Sequence, residues 1–495
     1  MRYVSTRGND KGVTAKEAII RGLAQDGGLY VPEAIPNLDR PLEALLKLPY
    51  TALAQAILRP FLDFSETELA TCVEKAYSSG RFTHPKIAPV VTPLKNTDNS
   101  GTMNENIHFL ELFHGPTLAF KDMALSILPH LMKASASKQE LIILTATSGD
   151  TGKAALEAFC DVEGVSIVVF YPESGVSNMQ KRQMVTQEGN NTYVFGVKGN
   201  FDDAQTGVKK IFSDPALAKD MAQVGKMFSS ANSINIGRLL PQIVYYFYAY
   251  GQLAQKGSLK VGDEINFVVP TGNFGNILAG YYAKEMGLPI RKLICASNDN
   301  KVLYDFFRTG EYDKNRAFHC TISPSMDILV SSNLERLLFH ATDTKSVQEM
   351  MGDLASQGRF ETQVNMPDFY GIHTSEEETC QAIFECAKKG YVMDPHTAVA
   401  YHAGQRYIEE TGDITPQIVI STASPYKFSE DVLKALNVDW EYAGNDKDMA
   451  AVQALSETSD LVVPEAVVQL ANQPVRHTIV CPVEDMTRVL VSKII

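Results

Sequence analysis

From about residue 105 onward, short runs rich in valine and isoleucine alternate with stretches of helical period. No other feature constrains the fold as much. The runs are Leu141–Ala146, Val165–Tyr171, Thr192–Val197, Ile265–Pro270, Arg291–Ala296 and Gln417–Thr422. Nearly continuous apolar strands separated by helices build a parallel sheet covered on both faces. The chain ahead of them reads differently. Thr14 with Glu17, and Ser65 with Glu68, form capping-box patterns, and glycines and prolines punctuate between them. The first hundred residues are therefore expected to be helices joined by turns. Residues 96–106 are the most linker-like stretch, and a second boundary is expected near 225–235. The division is then 1–100, mainly helical; 101–230, a smaller α/β unit; and 231–495, a larger one. A length of 495 residues suits two or three units.

Composition excludes some partners. The net charge of −13 argues against nucleic acid or an anionic membrane surface. The longest apolar run, Ile243–Tyr250, falls far short of the ~20 residues that span a bilayer. Cysteines at 72, 160, 295, 320, 380, 386 and 481 show no C-x-x-C pair, the pattern of reduced thiols. With no apolar leader at the first residues, a cytoplasmic location is expected.

Two places read as strand, glycine turn, helix. In the first, Leu141–Ala146 leads into Thr147-Ser148-Gly149-Asp150-Thr151-Gly152 and a helix from about Lys153. In the second, Ile265–Pro270 leads into Thr271-Gly272-Asn273-Phe274-Gly275-Asn276 and a helix from about Ile277. Such turns lie at the carboxyl ends of parallel strands, where unpaired N–H groups and the positive end of a helix receive anions. Either could equally be an ordinary capped connection. The first turn is not a nucleotide-phosphate loop, since Thr147 stands where glycine is needed and Ala154 where a magnesium-binding hydroxyl is needed. Neither turn carries G-x-G-x-x-G.

Two further segments carry candidate chemistry. In His114-Gly115-Pro116-Thr117-Leu118-Ala119-Phe120-Lys121-Asp122, Thr117 can cap a helix whose first turns hold Lys121 among apolar neighbours. The positive end of the dipole and an apolar surround both favour a neutral amine, as a Schiff-base lysine requires. The plain alternative is a lysine reaching solvent or pairing with Asp122. Ser230-Ala231-Asn232-Ser233-Ile234-Asn235-Ile236-Gly237-Arg238 gathers amides and hydroxyls around one arginine suited to phosphate or carboxylate. It could also be only a polar cap on the helix that follows. His396 and His402 have no metal-ligand spacing, so no metal site is expected. Tyr245-Tyr246-Phe247-Tyr248 reads as a packed helix, and Asp202-Asp203 as a helix start.

In their order, H-G-P-T-L-A-F-K-D, T-S-G-D-T-G, N-S-I-N-I-G-R and T-G-N-F-G-N make the chain similar to the threonine synthase family. These are pyridoxal-phosphate enzymes of fold type II, the tryptophan-synthase-β-like fold. Tyr3–Gly8, Gly22–Leu29, Asp394–Ala398 and Ser421–Phe428 look like further landmarks of that family, so the resemblance spans nearly the whole chain. It implies two parallel-sheet, three-layer αβα domains behind a helical N-terminal domain. The Schiff-base lysine and a substrate-carboxylate loop would lie in the smaller α/β unit, and the cofactor phosphate loop in the larger.

The resemblance makes Lys121 the lysine that carries pyridoxal 5'-phosphate and moves protons. Gly272, Asn273, Phe274, Gly275 and Asn276 would cradle the cofactor phosphate. Thr422 would face the pyridine nitrogen with a neutral hydroxyl, leaving the ring less electrophilic than an acidic partner would. Ser148, Gly149 and Thr151 match the loop that grips the substrate carboxylate. Asn232, Ser233 and Arg238 match the site of the leaving phosphate. Asp150 stands where related enzymes often place asparagine beside the cofactor's phenolic oxygen, and a carboxylate there is repulsive unless a proton is shared. The implied reaction turns O-phospho-L-homoserine and water into L-threonine and phosphate, in a monomer or homodimer. Two rivals are another fold-type-II phospholyase or dehydratase that adds no water at Cβ, and a non-catalytic descendant of the fold. The second is disfavoured because lysine and glycine turn are both present.

Overall fold

The computed structural model describes residues 1–494 except 79, 94–105, 137–138, 148, 174–175, 177, 213, 443–445 and 460, with only the backbone at 201 and 202. Ser148 and most of the linker-like 96–106 thus lie outside the described residues.

Two parallel sheets organise the chain. The smaller has five strands in the order Val480–Pro482, Thr192–Lys198, Val165–Pro172, Glu140–Ala146 and Lys226–Ser230, all parallel. The larger has six, in the order Phe369–His373, Ile290–Ser297, Ile265–Pro270, Gln417–Ser421, Ile107–Glu111 and Val90–Val91. Only the edge pair Val90–Val91 with Ile107–Glu111 is antiparallel. All six expected strands are present within a residue or two. Ile107–Glu111 pairs into the larger sheet, and Val480–Pro482 returns from the far end of the chain to the smaller one.

Among the described residues, the first hundred hold four helices and, beside them, short strands that a reading as helices joined by turns leaves out. Arg2–Ser5, Val13–Thr14 and Tyr30–Pro32 form a small antiparallel sheet. These strands are two to four residues long, too short for a period to show. Both capping boxes form as read: Thr14 caps Ala15–Arg21 and Ser65 caps Glu66–Tyr77.

Both glycine turns lie at the carboxyl ends of central strands, and both helices begin earlier than expected. The first runs Asp150–Phe159, because Gly149 takes φ +142° and the Asp150 carboxylate suits the positive end of the dipole. The second runs Gly275–Glu285, directly after Phe274 at φ +66°. Helix Ile236–Lys256, the longest among the described residues, packs against Gly275–Glu285 and against the short helix Asp122–Leu125. Its tyrosines Tyr245 and Tyr246 are wholly buried, as a packed helix requires.

Candidate active site

Lys121 stands at the N-cap of the helix Asp122–Leu125, just outside its positive end. Thr117 does not cap that helix. Its amide and hydroxyl instead donate to the buried Asp122 carboxylate, at 2.8 and 2.6 Å. Leu118 enters the left-handed region at φ +60°, so the chain turns sharply before the lysine. Burial lowers the Lys121 amine from 10.5 to about 8; Asp150 opposes that shift, while Arg238 and Lys427 add to it. The plain alternative, a lysine paired with Asp122, is not what the fold builds. Lys121 Nζ donates to Ser325 Oγ at 3.3 Å and lies 3.8 Å from Asp150 Oδ2.

Asp150 is buried and shared between two lysines. Its Oδ1 lies 2.9 Å from Lys427 Nζ and accepts from Gln180 Nε2 at 3.2 Å. Burial alone would raise this carboxyl, but Lys427 and Lys121 together hold it well below the usual carboxylate range. The neighbouring turn is organised by Thr147, whose Oγ1 accepts the N–H groups of both Gly149 and Gly152 at 2.9 Å. A Cβ on Gly149 would fall 2.3 Å from the Gln180 side chain, so glycine is required there for space as well as for φ. Thr151 is half-buried in the first turn of the helix.

The second turn packs closely on the Ser325 segment and holds one unpartnered buried donor. A Cβ on Gly272 would meet the Ser325 carbonyl oxygen at 2.4 Å. Asn273 faces solvent, and its carbonyl accepts from the backbone and side-chain N–H of Asn333 at 3.1 and 2.9 Å. The Phe274 ring stacks on Phe307. Asn276 Oδ1 lies 2.6 and 2.8 Å from the hydroxyls of Tyr245 and Tyr246, while its buried Nδ2 has no partner. A second orphan is Arg238, buried in the first turn of Ile236–Lys256. It donates to Ala231 O at 2.8 Å, its Nε has no partner, and it pairs with no carboxylate among the described residues. Burial pulls its guanidinium down to about 10. Asn232 and Ser233 are half-buried just ahead of it, and Asn235 caps the helix through Gly237 N–H at 2.9 Å. An unpartnered buried donor at each of two helix N-termini, with a desolvated lysine nearby, fits an anionic carbonyl cofactor and an anionic substrate. Thr422, buried at the end of its strand, accepts the Phe120 N–H at 2.7 Å through its carbonyl, and its hydroxyl makes no hydrogen bond to the described residues.

Sequence reasoning missed four supports. Lys427, Ser325 and the Asp394–His396 pair all bear on Lys121 or Asp150. Arg336, wholly buried, donates to Tyr30 O at 2.9 Å and Ile234 O at 2.6 Å, and also to Asn333, bracing the turn before Ile236–Lys256 and the segment that packs on Asn273. Lys427 and His396 stood inside motifs already singled out, where a lysine between Tyr426 and Phe428 was the available signal. Nothing local marks Ser325.

This fold and site define a pyridoxal-phosphate-dependent enzyme of fold type II, a lyase. Residues 87–422 match the family described as "Pyridoxal-phosphate dependent enzyme". Residues 2–77 match "Threonine synthase N terminus", and 397–490 match "Threonine synthase, C-terminal". The threonine synthase of Pseudomonas aeruginosa is 39% identical over 448 residues, covering 88% of this chain and 90% of that one. That of Saccharomyces cerevisiae is 38% identical over 473 residues, covering 88% and 89%. The crystal structure of PLP-bound threonine synthase from Brucella melitensis superposes with a TM-score of 0.84 at 35% identity, covering 100% of this chain and 98% of that one. The chain belongs to the threonine synthase family.

Proposed function

We propose that the protein converts O-phospho-L-homoserine and water into L-threonine and phosphate. One observation carries the choice of a phosphorylated substrate. Arg238 is a buried cation without an acidic partner among the described residues, at a helix N-terminus and close enough to Lys121 to depress its amine. A buried charge left unpaired is costly, so such a site is completed by an anion.

Bound pyridoxal phosphate supplies an electron sink for the pair left when the Cα–H bond breaks. Lys121 would hold the cofactor and, once released by the substrate's own amine, would take the Cα proton, its burial favouring the neutral form. Gly272–Asn276 would receive the cofactor phosphate through backbone N–H groups and the unpartnered Asn276 Nδ2. Thr422 offers its hydroxyl to the pyridine nitrogen. Gly149 and Thr151, with Ser148, grip the substrate carboxylate. Arg238, Asn232 and Ser233 hold the phosphate that leaves from Cγ and offset the charge it develops. Asp150 is half of an ion pair with Lys427, which would remove the repulsion a lone carboxylate brings beside the cofactor's phenolic oxygen. The enzyme works in the cytoplasm as a monomer or homodimer. No helix among the described residues is long and apolar enough to cross a membrane.

The test is the absorption spectrum of the purified protein followed by turnover of O-phospho-L-homoserine. A visible band bleached by borohydride, with threonine and phosphate in equal amounts, is the expected result. Phosphate with 2-oxobutyrate in place of threonine would replace this reading with that of a lyase adding no water.

A further inference from the structure

Ser325 lies in the tight turn Pro324–Met326, which no role above employs. Its polar groups are committed in three directions. The hydroxyl accepts from Lys121 Nζ at 3.3 Å. The carbonyl oxygen lies where only a glycine at 272 leaves room for it, 2.4 Å from an added Cβ. The backbone N–H donates to His396 Nε2 at 3.1 Å. A serine that merely shaped its turn would spend its hydroxyl on the local backbone, whereas this one spends it on a lysine 204 positions away.

The contacts behind Ser325 fix it in place. His396 accepts at Nε2, so its ring proton sits on Nδ1 and points at Asp394 Oδ1, 2.8 Å away. Both side chains are solvent-excluded. Asp394 is held in turn by the amide of His396 at 3.0 Å and by the Thr397 hydroxyl. On its other flank the turn is pinned by Asp327, which accepts from Thr321 N at 2.9 Å, Asn298 Nδ2 at 2.7 Å and Asn300 Nδ2 at 3.0 Å. Proton transfer by a flexible amine depends on where the amine is held, and a displacement of about 1 Å can lower a rate ~100-fold.

We propose that Ser325 is a positioning residue that orients the Lys121 amine for proton transfer, and that the buried pair His396–Asp394 holds Ser325 in register. The assignment rests on the proposal that Lys121 is the proton carrier, and the experiment separates the two.

The holoenzyme is compared with S325A, which removes the hydroxyl, and S325T, which keeps one. Three quantities are read: exchange of the O-phospho-L-homoserine Cα hydrogen with solvent deuterium, kcat against KM, and the peptide on which borohydride fixes the cofactor. For S325A, exchange and kcat fall about 10- to 100-fold, with KM within about threefold of wild type. S325T recovers most of the exchange, and the cofactor is fixed on Lys121 in all three proteins. H396L, which removes the acceptor of the Ser325 N–H, lowers exchange in the same sense, and H396Q, which retains an acceptor, lowers it less. Wild-type exchange in S325A overturns the assignment, as does an S325T no better than S325A. Fixation of the cofactor away from Lys121 in the wild type instead overturns the reading of Lys121, whatever Ser325 does. Should H396L fail to fold, the S325A and S325T pair decides alone.

Discussion

Lys427 Nζ and Asp150 Oδ1 lie 2.9 Å apart, with 2% and 4% of their side chains exposed. The pair joins the segment after strand Gln417–Ser421 to the first turn of Asp150–Phe159, and so ties the two sheets together beside Lys121. Lys427 also donates to Thr117 O at 2.9 Å, directly under the lysine-bearing turn. Removing one member of a buried pair strands the other's charge, at a cost of ~3–5 kcal/mol. K427M and D150N should each destabilise the apoprotein by about that much in urea unfolding, and the double variant by clearly less than their sum. Additive losses would mean that the two groups do not sense one another.

The Lys121 amine should titrate at about 8 rather than 10.5, because burial disfavours its charged form. The neutral amine is the nucleophile toward a carbonyl. Uptake of pyridoxal phosphate by the apoprotein, followed as borohydride fixation on Lys121, should therefore rise with pH through a midpoint near 8 and then level off. The neighbours set the signs in variants. Asp150 favours the charged amine, so D150N moves the midpoint down; Lys427 disfavours it, so K427M moves it up. Linkage gives an independent check. The depressed pKa penalises folding fully below pH 8, and the penalty fades as pH rises from 8 to 10.5. A midpoint near the ordinary lysine value would remove the desolvated site.

How far the site was legible depended on whether its signals were local. The Lys121 segment stood out because Gly115-Pro116 marks a turn and the apolar surround is contiguous with the lysine, while its role was implied by the family resemblance alone. The 272–276 turn could be placed because strand, glycine and helix follow within a dozen residues. The strands Lys226–Ser230 and Phe369–His373 carried too few β-branched residues to stand out, and neighbouring strands supply the pairing that makes them strands. Thr117 was read as a cap because its nearest helix was the obvious partner, but the fold gave it the buried carboxylate of Asp122. Asp150 looked anomalous because its compensating charge lies more than 270 positions downstream, at Lys427. Ser325 had no signal at all, since every contact that matters reaches it across the fold.

The two site glycines should resist even alanine. At Gly272 the added Cβ would sit 2.4 Å from the Ser325 carbonyl, which belongs to backbone and cannot swing aside. At Gly149 it would sit 2.3 Å from Gln180, on a backbone at φ +142° that side chains rarely adopt. Overpacking of this kind costs ~1–3 kcal/mol. G272A should lower the apoprotein's melting temperature and weaken cofactor binding, because the cradle and the Ser325 turn move together. G149A should mainly raise KM for the amino-acid substrate, with the cofactor band retained. Equal cofactor loss in both variants would show that the turns do not serve separate ligands.

Arg238 makes the sharpest contrast between stability and function. Its guanidinium is buried and has no acidic partner among the described residues, so the fold gains little from the charge. A buried charge without a partner is itself a cost to the fold, so an apolar side chain of similar volume in its place removes that cost. R238M should therefore melt no earlier than wild type as apoprotein, even though one hydrogen bond to Ala231 O is lost. Its ligand binding should suffer, because a charge-assisted hydrogen bond is worth ~1.5–3 kcal/mol. Inhibition by inorganic phosphate should weaken by about 10- to 100-fold, and KM for O-phospho-L-homoserine should rise with it. R238K keeps the charge but loses the planar fork, and should fall between the two. If R238M unfolds easily yet binds phosphate normally, the arginine is a structural cation and the phosphate site lies elsewhere.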